Sequence, residues 1–278
     1  MKKIVTLILA ASIAITIIGC NEKNTETINS VSNLKGKVIG MNQFGASKES
    51  VISSMSKQFG GKPKDVMMFE NISDAILSLL GDKIDAIQLF KFTADYYSNK
   101  NSKLKVLQQE QPNIGKAFLV VRREDQKLKK DLDNAITTLQ ENGILKTLED
   151  LWIKNFPLTN EPTNKEISEI KGVKTFYVSV NGQDPPLDYI ASNGKTAGYS
   201  VALFAELGKI LNVNFKFVPL VGNANYISLS SKKTDIIFFD VEFSGSIDDN
   251  LDDEPSDSSW VATKPILESV SKCYLVKK

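Results

Sequence analysis

Carboxylates would have to carry any acid–base chemistry in this chain of 278 residues, because it contains no histidine. The candidates are Asp184, Asp240 and Glu242. The sequence does not supply a nucleophile paired with a base, which is the arrangement that covalent catalysis needs. We therefore expect a protein that is not an enzyme, and an enzyme with these carboxylates as acid and base stays the alternative.

Metal and phosphate sites are not expected either. The chain lacks the commonest zinc ligand, and Gly60-Gly61 is not followed by the Lys-Ser/Thr of a phosphate-binding loop, so it is interpreted as a helix terminator. An acidic run lacks the glycine and the spaced glutamate of a calcium loop and is expected to be solvated. The run comprises Asp248, Asp249, Asp252, Asp253, Glu254 and Asp257.

The amino terminus predicts secretion and lipidation. Two lysines precede an apolar run at 4–18, which fits a signal peptide better than a membrane span. Gly19 and Cys20 follow directly and resemble the bacterial lipobox. We expect a signal peptide at 1–19, a lipid such as palmitate on Cys20, and a flexible spacer at 20–32. A plain signal cut elsewhere is the alternative.

The charge of the chain argues against a nucleic-acid partner. Removal of the signal peptide takes Lys2 and Lys3 with it, which changes the formal net charge from +1 to −1. A lipid on Cys20 also leaves Cys273 without an intrachain disulfide partner, so Cys273 is interpreted as a small buried strand residue.

Alternating strand and helix patterns predict an α/β fold. Strands are expected at 38–41, 66–69, 84–89, 104–107, 116–121, 174–180, 215–218, 235–239 and 272–276. Helical spacing of apolar residues is found at 51–59, 73–80, 126–140, 144–154, 198–211 and 226–231. A linker composition, with Pro157, Pro162, Thr and Asn, is found at 156–171.

The stretch 181–211 organises the second half of the chain. Pro185 and Pro186 cannot donate ladder hydrogen bonds, so the preceding strand must end near Asn181 and expose its carboxyl end. Ligands of open α/β sheets bind at such strand ends. A polar hairpin at Asn193-Gly194 and an amphipathic helix from Gly198 complete the stretch.

These residues resemble the opening of the type-2 periplasmic solute-binding proteins, the amino-acid-type extracellular receptors of bacterial ABC transporters. The front half of the chain resembles the second lobe of the same family. The matching stretches are Leu-x-Gly-Lys at 34–37, a small-residue loop at 45–47, Gly-x-x-x-Asp-Ala at 81–86, Gly115 with its strand, Asn142-Gly143 and Trp152.

The resemblance implies a two-lobed fold with its lobes in circularly permuted order. We expect a second-lobe-like domain at 33–122, returning helices at 123–155, a linker at 156–172 and a first-lobe-like domain at 173–278. One covalent crossing between lobes is expected at 121–125, with Leu34 and Val276 close in space. A domain-swapped pair of chains is the structural alternative.

The same resemblance implies a ligand cleft between the lobes. The arginine that clamps the ligand carboxylate in the family is replaced by Ile247, and the carboxylate that receives the amino group aligns with Phe90. Isoleucine cannot donate paired hydrogen bonds, so α-amino acid binding is not expected. The candidate ligand residues are Gly45, Ala46, Ser47, Phe90, Phe92, Asp184, Leu187, Tyr189, Phe239, Asp240, Glu242 and Ser244.

Acidic groups beside aromatic faces favour a cationic or amine-bearing solute. The implied function is capture of that solute by a lipid-anchored extracytoplasmic protein, with no cofactor, for an ABC permease or a membrane sensor. Other interpretations stay open: the acids pair only with lysines and the phenylalanines are core, the lobes form a surface scaffold without a transport role, or the fold carries a dehydratase-like enzyme.

Overall fold

Two groups of strands share one long strand in the computed structural model, which describes residues 27–42, 47–110, 112–157, 162–164, 167, 169–243 and 259–278. The strands are β1 (Val38–Asn42), β2 (Asp65–Phe69), β3 (Ala86–Phe90), β4 (Leu104–Leu107), β5 (Ile114–Arg122), β6 (Thr175–Val180), β7 (Gln183–Asp184), β8 (Asp188–Ile190), β9 (Thr196–Ala197), β10 (Asn214–Pro219), β11 (Ile236–Phe243) and β12 (Trp260–Lys277). The helices are α1 (Lys48–Phe59), α2 (Ile72–Leu80), α3 (Lys91–Lys100), α4 (Gln126–Glu141), α5 (Ile144–Glu149), α6 (Tyr199–Leu211) and α7 (Ala224–Ser230).

The lobe that resembles the second lobe of the solute-binding proteins is named the second lobe. It is built on β1 to β4 and residues 272–277 of β12. Strand β1 pairs in parallel with β2 and β3, and β12 pairs antiparallel with β3 and β4. Helix α1 covers one face of this sheet, with Met55 and Phe59 in its core, while α2 and α3 cover the other. Burial on both faces explains why these strands are short runs of apolar residues.

The first lobe is built on β5, β6, β10, β11 and residues 260–271 of β12. Helices α4 and α6 pack on one face through buried side chains such as Leu132 and Phe204. Helix α7 lies on the other face, where Leu229 contacts a smaller core. The three short strands β7, β8 and β9 form a separate hairpin sheet between β6 and α6.

Strand β12 belongs to both lobes. Ser271 is opposite Ile114 of β5 in the first lobe, and the next residue, Lys272, is opposite Phe90 of β3 in the second. The chain therefore passes between the lobes within β12 and a second time between β4 and β5. The crossing expected at 121–125 is wrong, because Val121 pairs inside the first-lobe sheet.

The same register moves two domain boundaries relative to the sequence-based expectation. Strand β5 was assigned to the second-lobe-like domain at 33–122, but it pairs with β11 and β12 in the first lobe. Residues 272–277 were assigned to the first lobe, but they pair with β3 and β4. Leu34 and Val276 pack in one core, as predicted. The circular permutation itself stays a prediction.

Most predicted elements are present, with ends shifted by a few residues. The helix α3 was not predicted, because its apolar residues do not form a clear helical stripe. The helix predicted at 144–154 is divided into α5 and a π-helical turn, Asp150–Lys154. Cys273 is buried in β12, as predicted. Cys20 and the acidic run at 248–257 lie outside the described residues.

Gly198 joins the hairpin sheet to α6. Its φ is +113°, and a Cβ at this position would lie 2.6 Å from the carbonyl oxygen of Leu187 and 2.7 Å from that of Pro186. Those two carbonyls accept hydrogen bonds from the first backbone N–H groups of α6, at Tyr199 and Ser200. The hairpin therefore caps the helix, and only glycine fits between them.

Arg122, at the end of β5, holds the first lobe together on its α7 side. Its Nη1 donates to the carbonyl oxygens of Leu229 and Thr234, at 3.0 and 2.6 Å, and its Nη2 donates to Asp235 at 3.0 Å. The Nε atom lies 2.7 Å from a carboxylate oxygen of Asp125. With its side chain 11% exposed, this arginine is a structural group of the first lobe.

Candidate functional site

A cavity of about 510 Å³ lies between the two lobes. The second lobe contributes residues of β1, α1 and β3, and the first lobe contributes the β7–β8 hairpin, the start of α7 and the end of β11. Strand β1 is parallel to its neighbours in the second lobe, and β6 is parallel to its neighbours in the first lobe. The carboxyl ends of both strands point toward the cavity, and open α/β sheets bind ligands at such strand ends. The fold therefore places a solute-sized space where both lobes contact it.

Five of the predicted ligand residues line this cavity. They are Phe90, Asp184, Leu187, Phe239 and Asp240. Gly45, Ala46 and Ser244 lie outside the described residues. Ser47 does not line the cavity; its Oγ caps α1 by accepting a hydrogen bond from Ser50 N at 3.2 Å, and Val51 and Ser54 of the same helix line the cavity instead.

Three predicted ligand residues lie elsewhere. Phe92 is 7% exposed and packs behind Phe90, with ring centroids 5.5 Å apart, so it is a core residue. Tyr189 pairs with Gln183 and Ala197 inside the hairpin sheet and does not line the cavity. Glu242 is exposed to solvent opposite Lys116, because a bulge at Phe239 shifts the alternation of β11 and turns Val241 and Phe243 to the cavity.

The bulge gives Phe239 an unusual backbone conformation. Its φ is +70°, in the left-handed region that a bulky residue rarely adopts. Its ring lies 5.1 Å from that of Phe90 and 6.0 Å from that of Phe92, so it connects the lobes through an aromatic cluster. Residues held in such conformations concentrate at functional sites, where surrounding contacts enforce them.

We expect Phe239→Gly to be more stable than Phe239→Ala by about 1 kcal/mol, which reverses the usual order of these residues in a strand. Both changes remove the ring, but only glycine relieves the strain at positive φ. Guanidinium denaturation of the two variants measures the difference. At the exposed Glu242 of the same strand, Glu242→Ala should be more stable than Glu242→Gly. The same order at both positions would contradict the strain argument.

Two carboxyl groups lie side by side at the cavity wall. Asp184 and Asp188 are opposite each other in the β7–β8 hairpin and are 6% and 1% exposed. Asp188 accepts hydrogen bonds from the backbone N–H groups of Asn181 and Gly182, at 2.9 and 3.2 Å, and Asp184 accepts one from the side-chain amide of Asn181 at 2.5 Å. No described lysine or arginine forms an ion pair with either carboxyl group.

Burial favours the neutral form of both acids. Desolvation raises the pKa of Asp184 to about 6, although the hydrogen bond from Asn181 opposes the shift. Desolvation, and then the neighbouring charge of Asp184, raise the pKa of Asp188 to about 8. Near neutral pH the pair therefore holds about one proton when no cation is near.

Amide side chains make up much of the rest of the wall. They include Asn42, Gln88, Asn113, Asn223 and Asn225. Two of their oxygens, on Asn42 of the second lobe and Asn225 of the first, are buried and have no hydrogen-bond partner in the described structure. A buried acceptor without a donor is rare and requires an explanation.

Lys272 is the basic residue of the wall. Its Nζ lies 4.8 Å from the ring centroid of Phe243. The described lining residues thus include three acids, Asp184, Asp188 and Asp240, and this single base, so the wall has a net acidic character.

Sequence reasoning missed Asp188 and the amides. The spacing Asp-Pro-Pro-Leu-Asp at 184–188 was the available signal, because a tight turn of five residues brings its first and last residues together. The amides carried no signal of their own, since Asn and Gln are common on any surface. Among the described residues, no helix is long and apolar enough to cross a membrane, and no group of three or more acidic or cysteine side chains is arranged to hold a metal ion.

Solved structures with a similar arrangement share little sequence with this chain. The ligand-binding component of an ABC-type import system from Staphylococcus aureus, with zinc bound, has 11% identity and a TM-score of 0.43, over 86% of this chain and 65% of that one. The chain thus spans less than two thirds of that protein. The GluR0 ligand-binding core from Nostoc punctiforme, in complex with L-glutamate, has 11% identity and a TM-score of 0.39, over 87% and 85%.

A putative methionine-binding lipoprotein from Bacillus subtilis has 10% identity and a TM-score of 0.40, over 87% of this chain and 83% of that one. None of the curated proteins matches the sequence.

Two family descriptions match the sequence itself. Residues 176–244, from β6 to the end of β11, match the bacterial extracellular solute-binding proteins, family 3. With the two-lobed fold, this match defines the class of type-2 periplasmic solute-binding proteins, as the resemblance predicted. Residues 4–150 match the family described as NMT1/THI5 like. The chain belongs to the NMT1/THI5-like family.

Proposed function

We propose that this protein captures a small cationic solute in the cavity between its lobes. The observation that carries the proposal is the buried pair Asp184 and Asp188, which lines the cavity and has no ion-pair partner among the lysines and arginines that the structure describes. Burial of a charged carboxylate without a counter-ion is costly, so such a pair favours a positively charged group from the solute.

The aromatic rings support the same class of solute. Phe90 and Phe239 line the cavity from opposite lobes, 5.1 Å apart. An ammonium or guanidinium group is attracted both to ring faces and to carboxylates. A cation held by both lobes would favour the closed arrangement of the cleft, which is how two-lobed receptors respond to their ligands.

The two arginines of the chain support a solute other than an ordinary α-amino acid. Neither Arg122 nor Arg123 lines the cavity, and Arg122 is engaged by Asp235 and by backbone carbonyls. A paired guanidinium contact to a ligand carboxylate therefore has no donor at the wall. Lys272 could still contact an anionic group of the solute, as a point charge.

The cellular part of the proposal rests on the amino-terminal pattern. The signal-like run and Cys20 support an extracytoplasmic protein held at the membrane by lipid. From that position it would deliver its solute to an ABC permease or report it to a membrane sensor. The absence of a nucleophile–base pair in the sequence supports binding without catalysis.

Calorimetry and thermal unfolding at pH 8.5 test the solute class. We expect 1,4-diaminobutane to bind and to raise the melting temperature, because a ligand at 100 times its Kd stabilises the folded form by about 2.7 kcal/mol. Its neutral isostere 1,4-butanediol should have no effect, since it lacks the charge that the carboxyl pair requires. Tight binding of glycine or L-glutamate, with no response to the amine, would overturn the proposal.

A further inference from the structure

The hairpin between β7 and β8 carries two acidic groups that sequence reasoning did not connect. Asp188 is almost fully buried, and its two carboxyl oxygens accept hydrogen bonds from the backbone N–H groups of Asn181 and Gly182. Asp184 lies opposite it in the hairpin register and receives the amide of the same Asn181. One short turn thus holds two carboxyl groups at the cavity wall.

A second observation comes from the opposite wall. Asn42, at the carboxyl end of β1, lines the same cavity and is 8% exposed, and its side-chain oxygen has no hydrogen-bond partner among the described residues. This acceptor belongs to the second lobe, whereas the acid pair belongs to the first. Both walls therefore offer oxygen acceptors, and a solute with N–H donors would satisfy both.

We propose that Asp188, together with Asp184, is the specificity-determining group of the cavity. The carboxyl pair exchanges a bound proton for the cationic group of the solute, and Asn42 accepts a hydrogen bond from the same solute. This inference rests on the proposed function. It adds which residue recognises the solute and how pH regulates solute binding. The proton leaves to solvent as the cation arrives, so the net charge of the site stays unchanged. Acidic surroundings would then release the solute.

The other ionisable groups around the pair determine how cleanly it titrates. Tyr97 of α3 has its pKa raised above the ordinary range by burial and by the charge of Asp184, so it stays neutral. Tyr199 of α6 is likewise neutral, because burial raises its pKa and its hydroxyl donates to Ile266 O. Asp240 of β11 and Lys272 of β12 line the same cavity, and Tyr189 lies on the hairpin itself. Tyr97 and Tyr199 therefore keep their charge state between the two raised pKa values of the carboxyl pair.

The test is calorimetry of the full chain with 1,4-diaminobutane in two buffers of different ionisation enthalpy. At pH 7 we expect about one proton to be released per solute bound, and affinity to rise about tenfold per pH unit between the two pKa values. In Asp188→Asn, proton release should disappear and affinity should become independent of pH. Asp184→Asn should weaken binding and move proton release to lower pH, because it removes the neighbouring charge that raises the pKa of Asp188 and leaves the burial of Asp188 in place. Asn42→Ala should weaken binding and leave proton release intact.

Asp74→Asn is the matched control, because it removes one exposed carboxylate, in the first turn of α2, that does not line the cavity, and it should bind the amine and release protons like the wild-type protein. Amine binding with no proton release and a flat pH profile would overturn this inference and leave the proposed function standing. Absence of amine binding at pH 8.5 would overturn both. Since proton release is measured on the wild-type protein, the result does not depend on whether the variants fold.

Discussion

The Gly198→Ala protein is expected to be about 3 kcal/mol less stable than the wild type. Two causes add at this position. The φ of +113° belongs to a region that residues with a Cβ avoid, and the new Cβ would lie 2.6 Å from Leu187 O. Relief of that contact would move the hairpin away from α6, so the N–H groups of Tyr199 and Ser200 would lose their acceptors. The midpoint of guanidinium unfolding measures the change.

Gly194→Ala is the matched control for this prediction. Its φ of +77° is also positive, but nothing lies within 4 Å of the position of a new Cβ. It should therefore cost only about 1 kcal/mol, the cost of the left-handed conformation alone. Equal losses at both glycines would show that the contact with the hairpin carbonyls does not matter.

The second large effect is expected for Arg122→Met, at about 3 kcal/mol of lost stability. This change leaves Asp235 and Asp125 without their cation and two carbonyl oxygens without a donor. The loss stays at the lower end for broken buried ion pairs, because the side chains of Asp235 and Asp125 are 24% and 32% exposed. Denaturant unfolding gives the free energy.

Lys127→Met provides the comparison for Arg122. Lys127 also pairs with an aspartate, Asp131, but its side chain is 90% exposed. An exposed pair of this kind contributes about 0.5 kcal/mol or less. If the two variants lose the same stability, the buried network around Arg122 is not what stabilises the α7 side of the first lobe.

The elements of the fold could be predicted from local patterns, because short apolar strands and amphipathic helices repeat with their own periods. The pairing of β12 could not. Its partners are β5, β3 and β4, and nothing in the sequence around Pro265 indicates that one strand continues through three bulges from one lobe into the other. Partner choice between distant strands is a tertiary property.

The candidate site, like the fold, was predictable from the sequence only in part. Asp184, Phe90 and Phe239 reach the cavity because each follows a strand or turn that the sequence makes visible. Glu242 does not, because one extra residue in the bulge reverses which side chains face inward. Asp188 was overlooked because an aspartate is ordinarily a surface residue, and only the folded hairpin buries it.

The shared strand has a consequence for how the protein is made. Strand β12 supplies a central neighbour to β5 and an antiparallel partner to β3 and β4, so both sheets lack a strand until residues 260–277 have left the ribosome. Domains usually fold as units while synthesis proceeds. Neither sheet can be completed before β12 is made, and until then a nascent chain must keep two open sheet edges from pairing wrongly.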